Sequence, residues 1–233
     1  MDSIPQELID TIIDNISYFS LPSCSLVAKR WRRKSQRRIL GTISFSSEDK
    51  VKRWCTDIPR DSNGISSYVR HVNIQEIYPW VEPALLSRML GSLSSLTTLT
   101  MYGTEIPGEF PGHISRGEFG KGITTLRLRF LHLPYCTLPM LTSMILSLPD
   151  LKELRIKHYR TMPEGPLPTD FVTPKRGPLD MLKLYGHVDR IGEALAESRL
   201  TSRHLSLDVG IKDIEQLLLL SLETVVELTL YGA

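Results

Sequence analysis

The sequence predicts a mixed α/β chain in which a small helical module precedes a stack of repeated strand units. Two observations predict this class. One strand template, apolar-x-x-apolar-x-apolar, recurs from residue 69 to residue 230. The first 40 residues lack it and instead carry apolar residues at spacings of three and four. Both halves read as interaction surfaces rather than as an enzyme.

The template occurs seven times. Its members are Val69, Val72 and Ile74; Leu96, Leu99 and Met101; Ile123, Leu126 and Leu128; Leu151, Leu154 and Ile156; Leu179, Leu182 and Leu184; the weaker Leu205 and Leu207; and Val225, Leu228 and Leu230. The last apolar positions are separated by 27, 27, 28, 28, 23 and 23 residues. Within each unit the last two apolar residues alternate with a polar one, so they share one face of a short strand. A single unit cannot bury that face, whereas stacked units align it into a continuous column.

Helical spacing appears between strands. Residues 83–93, 138–148, 190–197 and 211–222 carry it, and each helix is expected to cover the outside of its strand. Residues 103–122 hold six glycines and residues 161–178 hold five prolines, so both are expected to be loops. Residues 41–64, with Trp54 and a polar turn at 61–64, read as a linker or an irregular first repeat.

The spacing resembles leucine-rich repeats over residues 65–233. That resemblance implies a right-handed solenoid with a parallel sheet on its concave side. The asparagine ladder common in the family is missing: Ile77, Thr104, Leu131, Tyr159, His187, Gly210 and Ala233 stand at its positions. A stack ending at Val225 to Ala233 is expected to leave an open edge, the pattern of an incomplete chain.

The first 40 residues begin with Ser3 and Gln6 at capping-box spacing and Pro5 between them. Leu8, Ile9, Ile12, Ile13 and Ile16 make one apolar stripe. A break is expected at Ser20 to Pro22, followed by a second helical stretch with Leu26, Val27 and Trp31. So small a module cannot hide all these side chains, which leaves two destinations for the stripe: a partner, or the first repeat as a cap.

Residue identities favour the partner. Ile4-Pro5-Gln6-Glu7-Leu8-Ile9, then Ile12-Ile13 and Ile16, then Leu26-Val27-Ala28-Lys29-Arg30-Trp31, resembles an F-box. The resemblance implies a three-helix module, residues 1–40, that docks on the Skp-type adaptor of an SCF-type cullin–RING ubiquitin ligase. By that analogy Ile4, Pro5, Leu8, Ile9, Ile12 and Ile13 contact the adaptor. Leu26, Val27 and Trp31 close the module or join the contact. The repeats then hold an unidentified target protein while other subunits supply the chemistry. The alternative is a stand-alone repeat scaffold whose helical front is a cap.

Other function classes find less support. Net charge is +2, which gives no overall field for nucleic acid or an anionic membrane. Lys29, Arg30, Arg32, Arg33, Lys34, Arg37 and Arg38 surround Trp31, so a nucleic-acid helix is a third reading, but nearby acids offset these bases. The longest apolar run, Leu217 to Leu220, is too short to cross a bilayer. Three widely spaced cysteines suggest reduced thiols, hence the cytosol or nucleus. The six histidines show no metal spacing, and the sequence suggests no metal or other cofactor. Residues 117–122 imitate a phosphate loop, but Ser115 replaces its first glycine and Gly122 its Ser/Thr.

Solvent-facing strand positions flank the buried ones. They gather Arg127, Arg129, Arg155, Lys157 and Lys183 in the middle of the open face, edged by Tyr102 and Tyr185. These residues are the expected target contacts, and their charge suits an acidic or phosphorylated segment.

Overall fold

The computed structural model describes residues 4–57, 64–75, 81–103, 109–131, 138–159, 177–188, 191–208 and 215–231. Three helices come first: α1 (Gln6–Asn15), α2 (Leu21–Val27) and α3 (Lys29–Leu40), with a short 3-10 turn at Tyr18–Ser20 between α1 and α2. The rest alternates strands and helices: β1 (Thr42–Phe45), α4 (Glu48–Asp57), β2 (His71–Gln75), α5 (Pro83–Gly91), β3 (Thr98–Tyr102), α6 (Phe110–Ser115), β4 (Thr125–Leu131), α7 (Leu138–Ser147), β5 (Glu153–Tyr159), β6 (Leu179–Val188), α8 (Ile191–Glu197), β7 (Ser202–Asp208), α9 (Glu215–Ser221) and β8 (Glu227–Tyr231).

All eight strands join one open parallel sheet in chain order. The register superposes the repeat template. Val72 lies beside Leu99, then Leu126, Leu154, Leu182, Leu205 and Leu228; Ile74 starts a second row through Met101, Leu128, Ile156, Leu184, Leu207 and Leu230. Helices α4 to α9 form a row in which each touches a neighbour. Their inward residues, among them Leu86, Met89, Ile145 and Leu195, share one continuous core with the strand leucines. The other sheet face is open.

The turns into the strands repeat a backbone device. The carbonyl of Gly41 accepts from the N–H groups of both Arg70 and His71, at 3.0 and 2.9 Å. Arg70 does the same for Thr97 and Thr98, Thr97 for Thr124 and Thr125, and Thr124 for Lys152 and Glu153. Each turn is thus tied to the next through main-chain groups that every non-proline residue carries. Of the seven ladder positions, Ile77, Thr104, Gly210 and Ala233 lie outside the described residues, and the side chains of Leu131, Tyr159 and His187 are not described.

Residues 42–57, within the stretch read as a linker or an irregular first repeat, supply β1, which pairs with β2, and α4. Phe45 and Trp54 from these two elements meet edge to face, 5.8 Å apart. Other expectations need correction. The glycine-rich stretch 103–122 contains α6. Phe110 and Ile114, one helical turn apart, are buried there, and Phe110 meets Phe119 at 5.2 Å. Burial of that pair outweighs the local glycine content. Gly120 in this stretch has φ +96°, and Gly91 at the end of α5 lets it pass closely, since a Cβ there would lie 2.4 Å from the Glu118 carbonyl oxygen. Helix α1 starts at Gln6, with Pro5 as its N-cap and no side-chain cap bond; Ser3 lies outside the described residues. Ser20 to Pro22 is a helix start rather than a break, and Ala28, extended at φ −158°, separates Leu26 and Val27 from Trp31. Most of the proline-rich stretch, residues 160–176, lies outside the described residues.

At the last strand the core is uncovered: Leu219, Leu222, Val226, Leu228 and Leu230 are exposed.

Phe110→Ala should lower unfolding stability by about 3–5 kcal/mol in urea denaturation, because it opens a cavity at the closest helix–loop contact. A loss under about 1 kcal/mol would show that α6 is not part of the core.

Candidate functional site

Two surfaces carry side chains able to bind something. The first is the helical module, which has a small core of its own. Ile9, Ile13 and Leu21 are buried together, with Ile16, Trp31 and Ile39 packed against them. The wide apolar stripe of α1 therefore divides between two faces. Ile9 and Ile13 point inward, at 1% and 0% exposure, while Leu8 and Ile12 point to solvent at 55% and 43%. Ile4, one turn before Leu8, is exposed, and so is Pro5. At the end of α2, Leu26 and Val27 are also exposed.

Of the expected contact set, Ile9 and Ile13 are thus buried in the module's own core. Trp31 packs on the same core and braces α3. Sequence spacing marked all five stripe residues alike, since neighbours one apart differ by about 100° around a helix and both fit a broad apolar arc. The sequence reading missed Tyr18 and Phe19, at 56% and 92% exposure, because they sit on the turn between helices where no periodicity applies.

Three bases of the run on α3 are spent on α1 and its ends. Arg38 donates to the Ile13 and Ile16 carbonyl oxygens, and Arg30 to that of Ile4. Lys34 pairs with Asp14 at 2.9 Å, and Arg37 lies over the Tyr68 ring at 5.9 Å. Arg38 thereby adds a donor to carbonyls at the end of α1, where helical partners run out. These contacts give the run a structural purpose and withdraw most of it from the nucleic-acid reading.

The second surface is the middle of the open sheet face. Register puts Thr100, Arg127, Arg155, Lys183, Ser206 and Thr229 in one row. Tyr102, Arg129, Lys157 and Tyr185 form the next. All seven expected target contacts therefore belong to two adjacent rows. Arg127, Arg155 and Lys183 are half-buried, whereas Arg129 and Lys157 are exposed. Glu153 pairs with Arg155 through Nε. A cleft of about 440 Å³ opens among Arg129, Arg155, Lys157, Tyr185, Gly186 and Asp208. The Gly186 N–H donates to Asp208 Oδ2 at 3.1 Å, and Tyr185 meets the Tyr231 ring at 5.3 Å. Asp208 on the rim is a residue that the sequence reading did not count among the contacts.

The charge of this face reaches His71 on β2. Burial first, then the positive charges of Arg127 and Arg70, hold its imidazole below the ordinary histidine value.

A third feature lies on the helical side. A cleft of about 620 Å³ is bordered by Trp54, Ser87, Arg88, His113 and Glu118. His113 and Arg116 both reach Glu118, at 2.5 and 2.6 Å, and hold its carboxyl below the usual carboxylate range. Among the described residues no group of three His, Cys, Asp or Glu side chains is placed to hold a metal ion, and no helix is long and apolar enough to cross a membrane.

Comparison with known families bears on the module. Residues 1–42 match the F-box domain. No curated protein matches the chain. The F-box match ends at the start of β1, so it spans the three helices with their separate core. An F-box generally docks on a Skp-type adaptor in SCF-type ubiquitin ligases, and F-box proteins typically act as adaptors rather than enzymes.

Two outcomes are expected. Ile13→Ala should destabilise the F-box module by about 2–5 kcal/mol, read as an earlier loss of helical signal on heating, whereas Leu8→Asp should leave that transition within about 0.5 kcal/mol. In NMR titration His71 should titrate below the ordinary histidine value and move upward in Arg127→Gln. Since its folded-state value is depressed, His71 stabilises the fold above the unfolded value, and that contribution is lost as pH falls through the folded one. An unmoved titration would exclude Arg127 as a cause.

Proposed function

We propose that this chain is the target-recognition subunit of an SCF-type ubiquitin ligase. Residues 1–40 dock on the Skp-type adaptor and, through it, a cullin; residues 65–233, as repeats of the leucine-rich kind, present the open sheet face to a target protein. The observation that carries the reading is the exposed apolar set Ile4, Pro5, Leu8, Ile12, Leu26 and Val27 on a module that matches the F-box domain. The module's own core is filled by Ile9, Ile13 and Leu21, so these side chains are not needed inside. Nor are they consumed as a cap on the sheet: α3 makes that connection, leaving α1's outer face in water. Burying one large apolar side chain is worth roughly 1.5–3 kcal/mol, so a partner that covers several gains a substantial affinity.

Substrate capture by the sheet face follows from the same division. Its strands leave alternate side chains outward, and seven consecutive hydrogen-bonded pairings make them a graded surface rather than isolated contacts. Catalysis then belongs to other subunits, and no cofactor is required of this chain. The half-buried free thiols of Cys24 and Cys55 fit the reducing cytosol or nucleus in which such a ligase would work.

The test is a pull-down of the Skp-type adaptor by the complete chain and by Leu8→Asp/Leu26→Asp, with circular dichroism to show that both fold. The chain should capture the adaptor and the double variant should bind about a hundredfold more weakly or worse. Equal capture by both, or capture by neither, overturns the docking role and leaves the module as a cap tied to the sheet through α3.

A further inference from the structure

The cleft on the helical side is used neither for adaptor docking nor for target capture. It opens between α5 and α6, the least closely packed neighbours in the helix row, and holds about 620 Å³. Trp54 and Cys55 of α4 line it, as do His113 and Glu118 from α6 and the turn after it. Helix α5 contributes Ala84, Ser87 and Gly91, which share one helix face at spacings of three and four, so no long side chain from that face fills the space.

Ser87 makes this more than a gap between helices. It is 1% exposed, yet among the described residues its hydroxyl has no hydrogen-bond partner. Serines elsewhere in the helix row turn back to the carbonyl four residues earlier: Ser147 to Ser143 and Ser198 to Ala194, both at 2.7 Å. Ser87 borders the cleft instead. A buried hydroxyl without a partner is unfavourable, and a ligand in the cleft supplies the partner. The other groups are held in place. Trp54 donates its indole N–H to Ser92 Oγ at 3.2 Å and meets Phe45 edge to face, which fixes its ring. Glu118 is held by His113 and Arg116, and each of its carboxylate oxygens keeps a further lone pair. Arg88 is exposed on the rim and, among the described residues, has no ion-pair partner.

We infer that this cleft binds a nucleoside monophosphate. A flat base stacks against Trp54, and its polar edge meets the Ser87 hydroxyl, which can both donate and accept. The ribose hydroxyls donate to the Glu118 carboxylate, and the phosphate pairs with Arg88. An apolar ligand leaves Ser87 and Arg88 unanswered, whereas a simple anion makes no use of Trp54. Charge limits the number of phosphates. Arg88 is the one arginine or lysine among the described lining residues, and Glu118 brings a negative charge to the opposite wall. A triphosphate therefore carries more charge than the cleft offsets. The volume suits the class, since small-molecule sites span about 300–1,000 Å³. The site lies apart from the exposed apolar edge of the F-box module and from the open sheet face, so it goes beyond the ligase role and does not depend on it.

The experiment titrates the complete chain with AMP, GMP, CMP and UMP. It is read as a rise in melting temperature and, by mass spectrometry, as protection of Cys55 from iodoacetamide. At least one monophosphate should bind with a Kd of about 1 mM or tighter and slow the alkylation of Cys55, whose thiol lines the cleft. The corresponding nucleoside, the triphosphate and inorganic phosphate should each bind at least about tenfold more weakly. Arg88→Gln, at an exposed position, should weaken the monophosphate about tenfold. Ser87→Ala should weaken it too, yet leave the ligand-free melting temperature equal or higher, because it removes an unpaired hydroxyl and puts the best helix former on α5. The inference is overturned if no monophosphate binds and protects Cys55, or if nucleoside, triphosphate or phosphate binds as tightly. Normal binding by both variants, or a lower ligand-free melting temperature in Ser87→Ala, overturns it as well. Neither adaptor nor target is present in this assay, so its outcome is independent of the pull-down.

Discussion

Everything beyond the helical module depends on strands stacking in register, so that the two apolar residues of each repeat meet their counterparts on both sides. Val72, Leu99, Leu126, Leu154, Leu182 and Leu205 are buried because each has a neighbour above and below and a helix behind. Parallel pairing with side-chain period two then leaves no choice for the intervening residues: they must face outward. Arg127, Arg155 and Lys183 line up because the leucines beside them do. A shift of one residue would bury those charges and expose the core, so core and open face share a single constraint.

The helical module solves a different problem. A unit so small has little interior, and it builds one from Ile9, Ile13 and Leu21 with Trp31 and Ile39 alongside. Its basic helix contributes as well. Arg30 and Arg38 bond to main-chain carbonyls at the two ends of α1, and Lys34 holds Asp14. These polar contacts orient α1, so Leu8 and Ile12 need not be spent on holding it. That frees an apolar edge for a partner at the cost of none of the module's own core.

The two surfaces also differ in chemistry. The F-box side presents uncharged aliphatic side chains, suited to a tight and largely sequence-independent dock. The sheet side presents charge in a fixed grid, suited to discrimination, since matching anions are rewarded and mismatched cations repelled. Helix α3 and β1 join them with no described residue between Leu40 and Thr42 except Gly41. So short a connection, with Arg37 over Tyr68 beside it, couples the orientation of one surface to that of the other.

The amino-acid sequence by itself determined the repeat and its period, since the strand template recurs at spacings of 23 to 28 residues and its apolar face needs a neighbour to share a core. It also determined the outward position of all seven expected face residues, because alternation along a strand needs no tertiary knowledge, and the resemblance of the N-terminus to an F-box. Only the tertiary structure decided which half of the α1 stripe is core: Ile9 and Ile13 differ from Leu8 and Ile12 by one helical step, and the position of Leu21 across the module chooses between them. It likewise decided that a glycine-rich stretch could hold α6, where Phe110 finds Phe119, and that residues 42–57 join the stack as β1 and α4. It revealed Phe19, which lies on a turn where no periodicity applies, and it made Asp208, outward by the same alternation, part of the cleft rim only because β7 comes beside β6. Periodic burial is local and can be read along the chain; the choice among equally apolar or equally charged neighbours is made by residues far away in it.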